Sequence, residues 1–298
     1  MAARRGGDGP VGLVVVDKEA GWTSHDVVAR CRRLTGQRRV GHAGTLDPDA
    51  TGLLLVGLGR FTRMLRFLTR LPKTYQADIV LGAATSTLDA SGTVTGRWDM
   101  NHITLDQARR AAEQLTGSIE QVPPMVSALK VGGRRLHDLA RAGVEVERAP
   151  RPVTVYRFDL QPGDEPGVLR AVVECSTGTY VRSLAADLGI ALGGGAHLRH
   201  LRRTRIGSFG LAEACTLDQL TTDRILTPAQ ALRDLPQVEV GSEVARLVTH
   251  GLALDRVAIG ASGEGPWALV DRRGHLLAVY EATGTDRLVA AVVLAAAG

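Results

Sequence analysis

The first apolar run, Val11–Val16, is a short block of Val, Leu and Gly, and a block of that kind predicts a buried strand. A polar stretch follows. Ser24 is placed to cap a helix running to about Leu34, with Gly36 as its stop. A turn rich in Gly, Thr and Pro then leads straight into Leu53, Leu54, Leu55 and Val56, a second buried segment. Thr74–Leu81 alternates in part and predicts a strand. Thr104 and Gln107 form a capping-box pattern. The helix behind them has an apolar face of Ala108, Ala111, Ala112 and Leu115, and Gly117 ends it. Val126–Val131 before Gly132-Gly133 predicts a strand entering a hairpin. Pro152–Leu160 and Val168–Cys175 are further strands, the second feeding a turn and a helix from Tyr180.

Strands and helices do not alternate regularly, so the pattern predicts an α+β fold with a mixed or antiparallel sheet. Around residues 226–237, Pro228 and Pro236 interrupt the chain. A domain boundary is placed there, giving a large domain 1–235 and a small one 236–298. The small domain has a helical pattern at Ser242–Thr249. It then has strand-like runs, Trp267–Val270 and Leu276–Tyr280, on either side of an Asp-Arg-Arg-Gly turn. That succession suits a small β-barrel.

Charge sharpens the division. The net charge of the chain is +5, yet residues 236–298 hold five Lys and Arg against seven Asp and Glu. The positive excess therefore sits on the large domain, as a polyanionic partner would require. Three widely spaced cysteines, Cys31, Cys175 and Cys215, form no CxxC pair and no metal-ligand spacing, so reduced, buried thiols in a cytoplasmic protein are expected. No apolar run reaches membrane-spanning length. The apolar run near the N-terminus is stopped by Asp17 and Lys18, which reads as a strand after a frayed tail rather than a signal peptide.

The candidate chemistry lies in GHAGTLDPDATGLLLVGLGRFTR, from Gly41 to Arg63. A glycine-rich turn against a buried segment can hold one reactive side chain rigidly at the edge of a core. Asp47 and Asp49 both stand in it, and spacing alone does not choose between them. The ordinary alternative is a surface Asp-Pro turn. The stretch from Asp47 to Thr51 also matches the DxDxT pattern of aspartyl-phosphate phosphatases, but those need a hydrophobic strand directly before the first Asp, and here HAGTL precedes it.

This word and its neighbours resemble the bacterial tRNA pseudouridine synthases of the TruB family. VVVDKEAGWTSHDVV from Val14, the Asp47 word, KTY at Lys73–Tyr75, VPPMVSALKVGGRRLHDLARAG from Val122, CSTGTYVRSLAADLG from Cys175 and HLRHLRRTRIGSF from His197 occur in the family's order. The resemblance implies a pseudouridine synthase catalytic domain in residues 1–235 and a C-terminal PUA-like RNA-binding barrel in 236–298. It implies isomerisation of the uridine at tRNA position 55, in the T-stem–loop, by base flipping and attack of a carboxylate. A tRNA-chaperone activity is compatible with it. No cofactor and no metal are implied, no membrane, no obligate protein partner, and a monomer.

The same resemblance assigns residues. Asp47 becomes the nucleophile and Asp49 structural. Arg182 is its ion-pair partner, against the alternative of a surface arginine in a first helical turn. Tyr75 stacks on the flipped uracil, and its hydroxyl can assist proton removal at C5, where a lone strand tyrosine would otherwise be core. Tyr180 packs near the nucleophile, His42 helps hold the RNA loop open, and Leu201 lines the uracil pocket. Lys18 and Lys130 are site-lining or phosphate-contacting cations, against the alternative of solvated surface lysines. Two arginine clusters, one of Arg30, Arg32, Arg33, Arg38 and Arg39 and one of Arg199, Arg202, Arg203 and Arg205, could follow the RNA backbone. Departures from the family pattern are Glu19, where Pro is usual, and Val126 and His137, where Tyr is frequent. The rival function is RNA binding without chemistry, which shares the basic clusters but gives no role to Asp47, Tyr75 and Arg182 together.

Overall fold

The opening apolar run folds as strand β1 (Gly12–Lys18) in a computed structural model that describes residues 9–127, 129–131, 133–144 and 146–294. After it come α1 (Ser24–Thr35), β2 (Val40–Ala43), β3 (Thr51–Leu58) and α2 (Leu65–Thr69). The middle of the chain supplies β4 (Lys73–Leu81), β5 (Ala83–Thr85), β6 (Val94–Arg97), α3 (Leu105–Gln114), β7 (Gly117–Gln121), β8 (Lys130–Val131), β9 (Arg134–Arg135), α4 (Leu136–Arg141), β10 (Arg151–Pro162), β11 (Val168–Cys175), α5 (Val181–Ala191) and β12 (Ala196–Ile206). The last part adds β13 (Phe209–Gly210), α6 (Pro228–Ala231), β14 (Gln237–Val240), α7 (Ser242–Thr249), β15 (Leu254–Asp255), β16 (Trp267–Asp271), β17 (Leu276–Thr283) and β18 (Arg287–Val293). The class is the expected α+β.

Two compact units emerge, one of Met1–Pro48, Gly52–Thr69 and Gly207–Gly298, the other of Asp49–Thr51 and Arg70–Ile206. In the first unit β3 pairs antiparallel with both β1 and β2, Val56 facing Val14 and His42. Val14, Val16, Val27, Cys31, Leu54, Val56, Leu58 and Cys215 form one buried cluster there. Thr23, not Ser24, caps α1. Thr23 accepts from the Asp26 N–H while Asp26 accepts from the Thr23 N–H, a reciprocal box that needs an acid three residues on. Ser24 is thereby freed for another task, described below.

Also within the first unit, β14 to β18 form a five-stranded sheet in the order β14-β16-β17-β18-β15, with a core of its own around Trp267, Leu269, Tyr280, Leu288 and Val248. Such a module suits the small C-terminal β-domain expected from the sequence. Arg60 and Arg63 donate to the carbonyls of Leu294 and Val293 at 3.0 and 2.9 Å, and Arg66 pairs with Glu281 at 3.3 Å.

The second unit is built on the order β12-β4-β11-β10-β7, every neighbouring pair antiparallel. Helix α3 packs on β10 and α5 on β12, and the two helices touch. The Thr104–Gln107 capping box forms as expected, and Ala108, Ala111 and Ala112 are buried beneath it. The hairpin at Gly132-Gly133 is shorter than expected. Its strands are two residues each, and Val122–Ser127 is irregular because Pro123 and Pro124 cannot donate to a ladder. Among the described residues no helix is long and apolar enough to cross a membrane.

Candidate active site

In the first unit the Asp47 turn is held by its backbone on both sides. Its entry and exit use Gly44 (φ 82°) and Gly52 (φ 96°), backbone conformations that side chains other than glycine rarely adopt. Ser24 Oγ accepts from the Leu46 N–H at 3.0 Å and donates to the Leu46 carbonyl at 3.3 Å. Lys18, at the end of β1, is only 1% exposed. Its ammonium donates to the carbonyls of Glu19, Trp22 and Pro48 at 2.9, 2.8 and 2.9 Å, and the Gly21 N–H reaches the Pro48 carbonyl at 3.0 Å. Leu46 and Pro48 are therefore both fixed, and Asp47 lies between them. Lys18 is not a solvated surface lysine. It lines the turn from beneath and ties the DKEAG segment to the residue after Asp47.

Asp47 is half-buried and Asp49 exposed, a difference spacing could not supply. Strand β2 ends at Ala43, before Asp47, so the strand that a DxDxT phosphatase needs does not run into the first acid. His42 is half-buried and stands edge-on to His25, ring centroids 5.5 Å apart.

In the second unit Arg182 is 4% exposed, which removes the surface alternative. It follows Tyr180, at the N-cap of α5, whose backbone is gripped twice. The Tyr180 N–H donates to Gln121 Oε1 at 2.7 Å, and Gln121 Nε2 donates to the Tyr180 carbonyl at 3.2 Å. The guanidinium donates to the carbonyls of Thr87 and Val126 at 3.1 and 2.8 Å and lies 3.5 Å from Asp89 Oδ2. The other Asp89 oxygen accepts from Thr87 Oγ1, Ser91 Oγ and the Ser91 N–H. A buried cation aimed by two carbonyls and an oriented carboxylate is a fixed positive charge. Neither Gln121 nor Asp89 was singled out from the sequence; the signal was weak, an acid in a Ser/Thr-rich turn (STLDAS).

Tyr75 is 8% exposed on β4, opposite Arg203 of β12 and Val173 of β11. Leu201 and Tyr180 are half-buried. Lys130 belongs to β8, but its side chain lies outside the described residues, as does that of His137. Beside Tyr75, burial and the neighbouring Arg203 charge push the Lys73 ammonium down to about 8. Burial pushes the Cys31 thiol up to about 12 and the Cys175 thiol up to about 11, so both are inert at neutral pH.

The arginine clusters divide. Arg32, Arg33, Arg38 and Arg39 are exposed. The second cluster lies on strand β12, and Arg203 is 1% exposed, so it cannot belong to a solvent-facing phosphate track. Arg199 is held by Glu165 at 3.0 Å and by Asp78 at 3.6 Å.

A model of the TruB family pseudouridylate synthase N-terminal domain matches residues 32–181, and one of the tRNA pseudouridylate synthase B C-terminal domain matches 182–235. The chain belongs to the TruB family. Its relatives in that family include the tRNA pseudouridine synthase B of Rhodococcus jostii (strain RHA1), 48% identical over 92% of this chain and 90% of that one. The protein of the same description from Symbiobacterium thermophilum is 49% identical over 81% and 82%. A chain in the crystal structure of a Cbf5-Nop10-Gar1 complex superposes with a TM-score of 0.72 at 26% identity, covering 99% of this chain and 90% of that one. One from the archaeal box H/ACA sRNP Nop10-Cbf5 complex gives 0.71 at 25%, covering 95% and 85%. The N-terminal family model spans the Asp47 turn and Tyr180, and the C-terminal one begins at Arg182.

Proposed function

We propose that this protein isomerises uridine to pseudouridine in tRNA, at position 55 of the T-loop. Family membership and relatives that carry this activity in their names support the reaction class. The observation that carries the residue assignment is the double clamp on the Asp47 turn, Ser24 on Leu46 and Lys18 on Pro48. A turn fixed on both sides of one acid suits a nucleophile that must meet a carbon at a set angle.

The reaction breaks the bond from N1 to C1′, turns the base, and joins C5 to C1′. C5 loses one proton and N1 gains one, so no electrons leave the nucleoside and no redox cofactor is called for. Asp47 supplies the oxygen nucleophile, and Arg182 the guanidinium that pairs with it in catalysis. Tyr75 stacks on the everted uracil and takes part in removing the C5 proton, with Leu201 lining the pocket. Tyr180 packs near the nucleophile, His42 meets the opened loop, and Lys130 meets phosphate. Residues 236–298 act as an accessory, PUA-like RNA-binding module beside a catalytic domain of 1–235. The protein works as a cytoplasmic monomer, which sedimentation of the purified protein would overturn by showing a dimer.

Asp47→Asn keeps the shape of the turn and removes the nucleophile. Tritium release from C5-labelled uridine in a T-stem–loop is expected to vanish while the RNA still binds. Release at the wild-type rate would end the assignment. A tRNA-folding effect that survives Asp47→Asn would establish chaperone activity as a separate property.

A further inference from the structure

Strand β12 contains a phase error that the fold uses. Leu198 pairs with Ile79 of β4, and Arg203 pairs with Tyr75. Paired residues in an antiparallel ladder share a face, and successive residues alternate. Leu198 and Arg203 are an odd number of residues apart, so regular alternation would put them on opposite faces. Both instead stand on the face of Lys73, Tyr75, Ala77 and Ile79, all of which are buried.

The extra residue is absorbed in a bulge between Arg199 and Arg202. His200 lies in it with φ 54°, one of two non-glycine residues with positive φ among those described, the other being Leu88. Its ring is 71% exposed, yet Nδ1 lies 3.0 Å from Asp78 Oδ2, across the ladder. Leu201 shares the bulge with His200, and past it the ladder resumes with Arg202 opposite Gln76 and Arg203 opposite Tyr75.

We propose that His200 is a positioning residue for the uridine pocket: its left-handed backbone, clasped to Asp78, sets the bulge that carries Leu201 and turns Arg203 onto the face of Tyr75. This rests on the pseudouridine reading, because that reading makes Tyr75 and Leu201 the pocket wall. What matters at position 200 is then the backbone conformation, with the imidazole as its latch. Glycine adopts positive φ freely, asparagine tolerates it, alanine resists, and a β-branched residue resists most.

The test is a series at one position, His200→Gly, His200→Asn, His200→Ala and His200→Val, assayed by single-turnover pseudouridine formation on tRNA and by filter binding of the same tRNA. Gly and Asn are expected within about threefold of wild type and Val slower by about tenfold, with Ala between. The dissociation constant should change by less than about twofold across the series. An imidazole that touched RNA directly would give equal losses in all four variants and weaker binding, and that result overturns the proposal. So does a Val variant as fast as the Gly variant. If thermal melting shows the Val variant unfolded, the Gly and Ala pair decides in the same way, Gly faster supporting the proposal and equality overturning it. Asp47→Asn in the same assay keeps the two readings apart. Turnover there defeats the function, whereas an inactive Asp47→Asn beside equal Gly and Val rates defeats only the role of His200.

Discussion

The Asp47 turn and the Arg182 helix start solve the same problem in opposite ways. Around Asp47 the protein grips the main chain: Ser24 holds Leu46, and Lys18 and Gly21 hold Pro48. Around Arg182 it grips the side chain itself, with the carbonyls of Thr87 and Val126 and the carboxylate of Asp89 on the guanidinium. A nucleophile must keep an oxygen available for substrate, so orientation is better imposed through its neighbours. A fixed cation loses nothing by being surrounded. In both regions the gripping groups have no part in the proposed chemistry, and a motif spelled by active residues alone would miss half of each device.

The comparison makes the Lys18 anchor the more sensitive point. Lys18→Met leaves the carbonyls of Glu19, Trp22 and Pro48 without their charged donor. The expected cost is about 3 kcal/mol of stability, because each lost bond strands an acceptor. The turnover rate should fall at least about tenfold while tRNA affinity holds, because Asp47 itself is untouched. Urea denaturation and single-turnover assays measure the two effects. A Lys18→Met protein as stable and as fast as wild type would mean that the turn does not depend on its anchor.

Asp89→Ala should cost less. Removing one partner of a buried ion pair is typically worth about 3–5 kcal/mol, but Asp89 is 22% exposed and Arg182 keeps both carbonyls. We expect about 2 kcal/mol in urea denaturation and a fall in rate smaller than that of Lys18→Met. A larger loss for Asp89→Ala would reverse the ranking and show that side-chain gripping is the more vulnerable device.

The sequence made parts of each device legible and hid others, for reasons tied to particular residues. The capping box at Thr104, the strand Val168–Cys175 and the helix Ser242–Thr249 are encoded by local spacing, and the fold reproduces them. The Asp47 word was legible as a motif. Its support was not, because Lys18 and Pro48 are 30 residues apart, as Gln121 and Tyr180 are 59 apart, and no local pattern announces such pairs. Strand β12 is legible in the sequence as a motif and a basic cluster, not as a strand. Its arginines interrupt the apolar alternation that marks a strand, and the bulge at His200 shifts what alternation remains. Arginine is seldom fully buried, so the sequence points Arg203 to the surface, and only the fold sets it beside Tyr75 on a buried face.

A third buried cation sharpens the contrast between gripped and crowded charges. Lys73 donates to the Leu71 carbonyl at 2.7 Å, but burial and the like charge of Arg203 depress its ammonium to about 8, whereas the unfolded value is 10.5. The unfolded chain therefore binds more protons than the native one between those values, and stability must rise with pH across that window. Below pH 8 the penalty of the buried charge is fully present. From about pH 8 upward the effect is opposed, because Cys31 and Cys175 ionise near 9 when unfolded but only at about 12 and about 11 when buried, so their contribution is lost as pH climbs. From pH 8 to 9 Lys73 alone adds about 1 kcal/mol, and the two thiols offset about 0.7 kcal/mol of it. Lys73→Met removes the gain and should leave stability falling across that interval, ending about 1 kcal/mol lower relative to wild type at pH 9 than at pH 8. Urea midpoints at half-unit steps would show this, and a Lys73→Met protein that still gained stability from pH 8 to 9 would place the titration on another side chain.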